Sequence, residues 1–240
     1  MNDNELDLLN IESPTGEREP PTPDPEAILP LLSHPETKQR MLAARVFCDL
    51  EDTRSIPQLI KLLADDCALV RVSAAYALGR NTSPDAVESL IEQLKKDWNG
   101  YARKGIVWAL GNSKDPRATQ PLIHALKTDR SAVRLWAASG LATVAKLTYE
   151  DIIAAIPPLI QGLRRDSTAA VRSNCAWSLG KLCRELPSNV VYATAIDALL
   201  ESYVEDEDLG VKEDAKAALL QVGDPRALQM IEELELEGLI

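Results

Sequence analysis

The stretch Val70-Arg71-Val72-Ser73-Ala74-Ala75-Tyr76-Ala77-Leu78-Gly79 decides the fold, because near-copies of it recur along the chain. Val171 to Gly180 reads VRSNCAWSLG, Ala102 to Gly111 reads ARKGIVWALG, and looser versions surround Arg40, Arg134 and Lys212. Each copy follows an apolar run, at Ile28-Leu29, Leu59-Ile60, Leu90-Ile91, Leu122-Ile123, Leu159-Ile160 and Leu199-Leu200. The basic anchors Arg40, Arg71, Arg103, Arg134, Arg172 and Lys212 therefore stand 31, 32, 31, 38 and 40 residues apart. A recurring unit of that length marks a solenoid. Within one unit Val70, Ala74, Ala77 and Leu78 share a face at 3.6 residues per turn, and no period of two appears, so the unit is a helix pair. One such pair cannot bury its apolar stripe alone. About six pairs must stack, in an all-α, right-handed α-solenoid.

Composition agrees. In 240 residues, 45% are hydrophobic but only 4% aromatic, which suits Ala/Leu helix packing better than a sandwich or barrel. No charged-then-apolar leader and no run of about 18 apolar residues is present, so a soluble cytoplasmic protein is expected. Cys48, Cys67, Cys175 and Cys183 form no C-x-x-C pair, in keeping with a reducing compartment. The net charge of −11 is unevenly spread. Residues 1–25 hold seven acids and one base (−6), residues 197–240 thirteen acids and three bases (−10), and the middle, 26–196, seventeen acids against twenty-two bases (+5). An acidic chain of this kind makes a poor general nucleic-acid binder.

Residues 1–24 carry Pro14, Pro20, Pro21 and Pro23 among acids and read as a disordered arm, with Leu6 to Ile11 as a short cluster suited to docking on a partner. The solenoid is expected over residues 25–240, with helix pairs near 26–52, 56–80, 87–112, 119–146, 152–184 and 193–222 and a closing helix from Pro225 to Gly238. Pro57, Pro121, Pro157 and Pro158 are expected at the starts of first helices, where a missing N–H does no harm. Asp85, Asp115 and Asp224 are expected just before those helices, with Ser83-Pro84, Asp115-Pro116 and Asp224-Pro225 as start signals. The longer spacings after Arg134 and Arg172 place extra residues at Ala145 to Asp151 and Leu186 to Tyr192. Gly79, Gly111 and Gly180 suit either a left-handed helix end or a close helix crossing.

The block Val-Arg-x-x-Ala-Ala-x-Ala-Leu-Gly at 70–79, repeated at about 31 residues, resembles the short HEAT-like repeat of the phycobilisome-lyase type over residues 26–238. With the Pro-rich acidic lead, Arg40 to Phe47 (RMLAARVF) and Asp97 to Tyr101 (DWNGY), the chain is similar to stand-alone cyanobacterial HEAT-repeat proteins. One branch of those is associated with A-type iron–sulfur carriers. The resemblance implies an Asp/Arg ladder, in which a loop acid pairs along the stack with the basic residue of a neighbouring repeat. Asp66, Asp97, Asp129, Asp166 and Asp206 stand five or six residues before Arg71, Arg103, Arg134, Arg172 and Lys212. Recurrence in nearly every unit argues for structure over catalysis.

Little chemistry is on offer. With only His34 and His124, no H-E-x-x-H, no paired Cys and no Gly-rich phosphate loop, neither a catalytic residue, a metal site nor a cofactor is predicted. The di-iron HEAT-like hydroxylases would need several His-Glu pairs. The informative positions lie opposite the apolar face of the second helices: Ser73/Tyr76/Arg80, Gly105/Trp108/Asn112, Trp136/Ser139/Thr143 and Asn174/Trp177/Lys181. In HEAT-type stacks second helices line the concave surface, so Tyr76, Trp108, Trp136 and Trp177 are expected to form an exposed inner ridge with Arg80, Asn112, Asn174 and Lys181 beside it. Trp98 and Tyr101 would add a rim contact. Trp, Tyr and Arg dominate interface energetics. The reading is a non-enzymatic adaptor whose concave groove binds another protein, with a phycobiliprotein or A-type iron–sulfur carrier as the partners the resemblance suggests. The alternative is a bilin lyase-like or phycobilisome-processing factor that binds a tetrapyrrole and its apoprotein.

Overall fold

The computed structural model describes residues 23–145 and 148–237. The arm and its Leu6 to Ile11 cluster fall on residues 1–22, outside the described residues. Thirteen α-helices follow one another, with no strand among the described residues: α1 Pro25–Ile28, α2 Thr37–Val46, α3 Ile56–Leu62, α4 Ala68–Arg80, α5 Pro84–Lys96, α6 Gly100–Asn112, α7 Thr119–Thr128, α8 Ser131–Val144, α9 Tyr149–Arg165, α10 Ala169–Cys183, α11 Val190–Glu205, α12 Leu209–Val222 and α13 Pro225–Leu236. The first unit is abbreviated, since α1 has four residues and passes into a 3₁₀ turn at Leu29–Ser33.

Odd- and even-numbered helices form two layers with the core between them. Val70, Ala74, Ala77 and Leu78 are fully buried and meet Leu59, Leu90, Ile106 and Leu110 in one continuous cluster. The even helices touch their successors far more closely than the odd helices touch theirs. The stack is thereby shorter along the even layer, which puts the second helices on its inner side.

Glycine makes that closeness feasible. A Cβ on Gly111 would stand 2.8 Å from the Cα of Gly140, and one on Gly180 would stand 2.8 Å from the Cβ of Ala218. Of the two roles open to these glycines, close crossing is the one in use; among the described residues the left-handed glycine is Gly223 at φ 73°, which closes α12.

Several helix starts differ from expectation. Ser83, not Asp85, caps α5 by accepting from the Asp85 N–H, and Asp85 lies inside the first turn. Asp224, by contrast, caps α13 as expected, accepting from the Arg226 and Ala227 N–H groups, with Pro225 first in the helix. Pro157 and Pro158 sit in the interior of α9, not at its start. The residues that lengthen this repeat were added ahead of the prolines as further helical turns, with Thr148 as the new cap accepting from Asp151 N–H. The second insertion behaves alike, giving α11 sixteen residues from Val190.

Candidate functional site

One edge of the stack, where the loops between paired helices lie, is held by ion pairs. Arg40 donates to Asp65 at 2.7 Å, and Arg71, Arg103, Arg134 and Arg172 each grip the carboxylate of the following repeat with two bonds of 2.6–2.9 Å, to Asp97, Asp129, Asp166 and Asp206. A third guanidinium N–H closes the arginine's own loop: Arg71 donates to the carbonyl of Asp65, Arg103 to that of Asp97, Arg134 to that of Asp129 and Arg172 to that of Asp166. Each carboxylate also accepts a backbone N–H just after it, as Asp97 does from Asn99 and Asp166 from Thr168. Burial pushes these carboxyls up, but the hydrogen bonds from arginine and backbone outweigh it, and Asp65, Asp97, Asp129, Asp166 and Asp206 all end below the ordinary carboxylate range. The acid of the second repeat is Asp65, which corrects the expectation of Asp66. Asp66 is exposed, and only its backbone carbonyl meets Arg71. The side chain that can both cap the Cys67 N–H and reach Arg40 belongs to the residue six before the anchor, as it does at Asp97, Asp166 and Asp206. Lys212, at the far end, donates to the Val204 carbonyl.

The inner stripe is built from one face of each even helix. In α4 it runs Leu69, Val72, Ser73, Tyr76 and Arg80; in α6, Tyr101, Lys104, Gly105, Trp108 and Asn112. Tyr76 and Trp108 meet with ring centroids 5.4 Å apart at a tilt of 46°. Both rings sit where glycine leaves room, Tyr76 against Gly105 and Trp108 over Gly79. Trp108 is thus half-buried between two repeats, not a freely exposed anchor, and Trp136 is half-buried too. Trp177 remains 41% exposed. Lys104 lies 5.9 Å above Trp136 and Lys181 5.5 Å above Trp177, both as cation–π pairs. A depression of about 590 Å³ lined by Met41, Arg45, Leu69, Tyr76 and Trp108 adjoins one of about 160 Å³ lined by Trp108, Asn112, Trp136, Thr143 and Trp177. They share Trp108, which borders both, so the two depressions follow one another from α2 to α10.

The polar candidates divide. Asn112 donates to the carbonyl of Gly79 and Asn174 to that of Leu135, each tying its helix to the previous repeat. Arg80 forms a surface pair with Glu51 at 3.2 Å. Trp98 is 75% exposed and lies 5.8 Å from the Arg71 guanidinium, and Tyr101, 76% exposed, heads the α6 stripe. Arg45, Leu69 and Lys104 were missed from the sequence, although each stands three, four or seven residues from a ring or its counterpart on the same helix face.

Burial pushes the Cys48 thiol up to about 11 and the Cys183 thiol up to about 12, and raises Cys175 further, so these thiols are held in the protonated form. Among the described residues no three His, Cys, Asp or Glu side chains gather as a metal-binding group, and no helix is long and apolar enough to cross a membrane.

Helix pairs stacked in two layers and joined by a ladder on one edge define a repeat solenoid, a fold consistent with a protein-binding scaffold. The chain belongs to the HEAT-repeat family, which matches residues 25–106, 87–154 and 156–237. No curated protein sequence matches it. Among solved structures it is similar to an engineered protein (23% identity, 83% of this chain and 98% of the other, TM-score 0.62) and to a designed armadillo repeat protein in complex with the peptide (KR)4 (20%, 83% and 100%, 0.60). It is also similar to the complex of CpcE and CpcF of phycocyanin lyase from Nostoc sp. PCC7120 (22%, 89% and 82%, 0.59). At these identities the likeness is one of fold.

Proposed function

We propose that the protein is a non-enzymatic scaffold that lays a segment of a partner polypeptide along its inner stripe, and that the segment it accepts is acidic and rich in apolar side chains. The observation that carries this reading is the pairing of aromatic rings with cations that lack a carboxylate. Lys104 lies over Trp136, Lys181 over Trp177 and Arg45 in the depression beside Tyr76 and Trp108, and none of the three forms an ion pair among the described residues, although Asp49 lines the same depression as Arg45. A cation left beside an aromatic face gains most from an incoming carboxylate, while the rings supply area from which water is expelled. The designed armadillo protein, which takes the basic peptide (KR)4, supports the mode of binding. The charges here select the opposite sign of peptide. Tyr76, Trp108, Trp136 and Trp177 form the centre of the proposed interface, Arg80 and Lys181 its polar end, and Trp98 and Tyr101 its rim; Asn112 and Asn174 shape the floor.

The test is an affinity measurement on a panel of fluorescent peptides of equal length, either acidic with leucines, basic with leucines, or acidic without apolar residues. Only the first class is expected to bind, and Lys104→Glu or Trp177→Ala should weaken it at least tenfold. Equal binding of all three classes, or indifference to both substitutions, refutes the reading. The likeness to CpcE and CpcF makes a phycobiliprotein the first natural partner to try, and mixing with free bilin separates a pigment-handling role, which would give the protein visible absorbance, from a purely adaptor one. An A-type iron–sulfur carrier, suggested by the sequence resemblance, is the second partner for the same assay.

A further inference from the structure

The chain enters the stack beside the inner stripe. Pro23, the first described residue, lines a depression of about 450 Å³ with Leu42, Arg45, Val46, Asp49 and Leu50. Arg45 and Asp49 also line the depression under Tyr76 and Trp108, so the polypeptide arrives at the mouth of the groove. At that mouth apolar side chains of the inner face are open to solvent, Leu42 at 43% and Leu69 at 61%. The groove there offers apolar surface with Arg45 and Asp49 on its wall, and Lys104, which forms no ion pair among the described residues, stands further along beside Trp136.

The twenty-two residues that precede Pro23 have the complementary chemistry. They hold six acids and one base, and their apolar side chains concentrate at Leu6, Leu8, Leu9 and Ile11, flanked by Glu5, Asp7 and Glu12. The acidic stretch 197–240, at −10, repels such a segment, whereas residues 26–196, at +5, attract it. Reach is ample. The twelve residues from Ile11 to Pro23 span up to about 40 Å at roughly 3.3 Å each, while α2 and α6 lie about 20 Å apart if successive helices are about 10 Å from axis to axis.

We infer that residues 5–12 dock in cis on the inner stripe over α2, α4 and α6, with the leucines against Leu69, Tyr76 and Trp108 and the carboxylates toward Arg45 and Lys104, and so occupy the partner's own site. This rests on the proposed function, since it takes the stripe to be a peptide groove and adds what fills it first. A tether of this length holds its segment at an effective concentration on the order of millimolar, so even a weak contact is mostly closed, and a partner must displace it. The apparent affinity for any ligand in trans is reduced by the fraction of open grooves, here about tenfold.

Two measurements on the full-length chain test this. A benzophenone amino acid placed at position 9 is irradiated, and the cross-links are mapped by mass spectrometry. Intramolecular cross-links to the Leu69–Tyr76–Trp108 stripe, lost at high salt and in Lys104→Glu, are expected. Cross-links that join two chains, or that avoid the stripe, overturn the inference. In parallel, a synthetic peptide of residues 1–22 is titrated onto the wild-type chain and onto Leu8→Asp/Leu9→Asp, a change that leaves every described contact intact. The double variant is expected to bind the peptide about ten times more tightly. Equal affinities that remain sensitive to Lys104→Glu overturn occupancy in cis while leaving the peptide groove standing; absence of binding to either chain counts against both.

Discussion

The ladder edge and the inner stripe lie on the same even helices, yet they obey different rules. Along the ladder, five pairs repeat the same chemistry from Arg40–Asp65 to Arg172–Asp206, with side chains that are nearly all enclosed. Along the stripe the corresponding position changes from Tyr76 to Trp108 to Ser139 to Trp177, with Trp136 one turn earlier in α8. A contact that every repeat needs in order to stack must recur, whereas a surface that meets a ligand has one shape and varies from unit to unit. Repetition therefore marks what holds the solenoid together, and departure from repetition marks the surface proposed to meet a partner.

The sharpest way to break this distinction is with acid. The five ladder carboxyls have folded pKa values below those of the unfolded chain, so their contribution to stability is complete above the unfolded value near 4 and is lost as the pH falls through the folded values. The melting temperature by circular dichroism should be flat above about pH 5 and collapse below about pH 4. A melting curve that persists unchanged to pH 2 would show that the ladder contributes nothing net. Arg71→Ala comes next. It strands Asp97, whose side chain is wholly enclosed, and should lower stability by about 3–5 kcal/mol in urea unfolding. Arg103→Ala exposes a pair with more solvent around it and should lose about 1–3 kcal/mol. If either variant keeps its stability but loses peptide, the arginine belongs with the stripe.

The stripe is sharpened by its two tryptophans. Trp108→Ala empties the space over Gly79 and beside Tyr76, so it should lose about 2 kcal/mol of stability, roughly half the figure for a fully buried ring. Trp177→Ala should change stability by at most about 0.5 kcal/mol and peptide binding by about 2 kcal/mol. Reversal of that order would move the presenting surface away from Trp177 and toward the ladder edge, where Trp98 and Tyr101 stand exposed.

Much of this was legible in the residues. The spacing of Arg40, Arg71, Arg103, Arg134, Arg172 and Lys212 already implied stacked helix pairs, because a face of Val70, Ala74, Ala77 and Leu78 repeated at that interval has no other way to leave water. Local hydrogen bonding was legible less evenly. Asp224-Pro225 works as a helix start, but the two prolines of α9 did not mark one, since burial of Ile152, Ala155 and Ile156 in the core keeps the inserted turns helical against the lost hydrogen bond and ring clash that interior prolines bring. Neither did an acid five residues before Arg71 identify the ladder partner. That choice between Asp65 and Asp66 depends on which carboxylate faces Arg40 of the preceding repeat, and adjacent side chains in a tight loop point in different directions.

The sequence by itself determined the repeat, its helical period, the acidic ends around a basic middle and the set of rings that share a helix face, since all of these are fixed by which residues stand three, four and about thirty-one positions apart. Only the tertiary structure decided how far each ring is enclosed. Trp108 and Trp177 occupy equivalent positions in their repeats, yet Trp108 sinks over Gly79 and Tyr76 while Trp177 keeps an open face beneath Lys181. Exposure depends on the side chains that the neighbouring repeat brings to the crossing, and those lie more than thirty residues away in the chain.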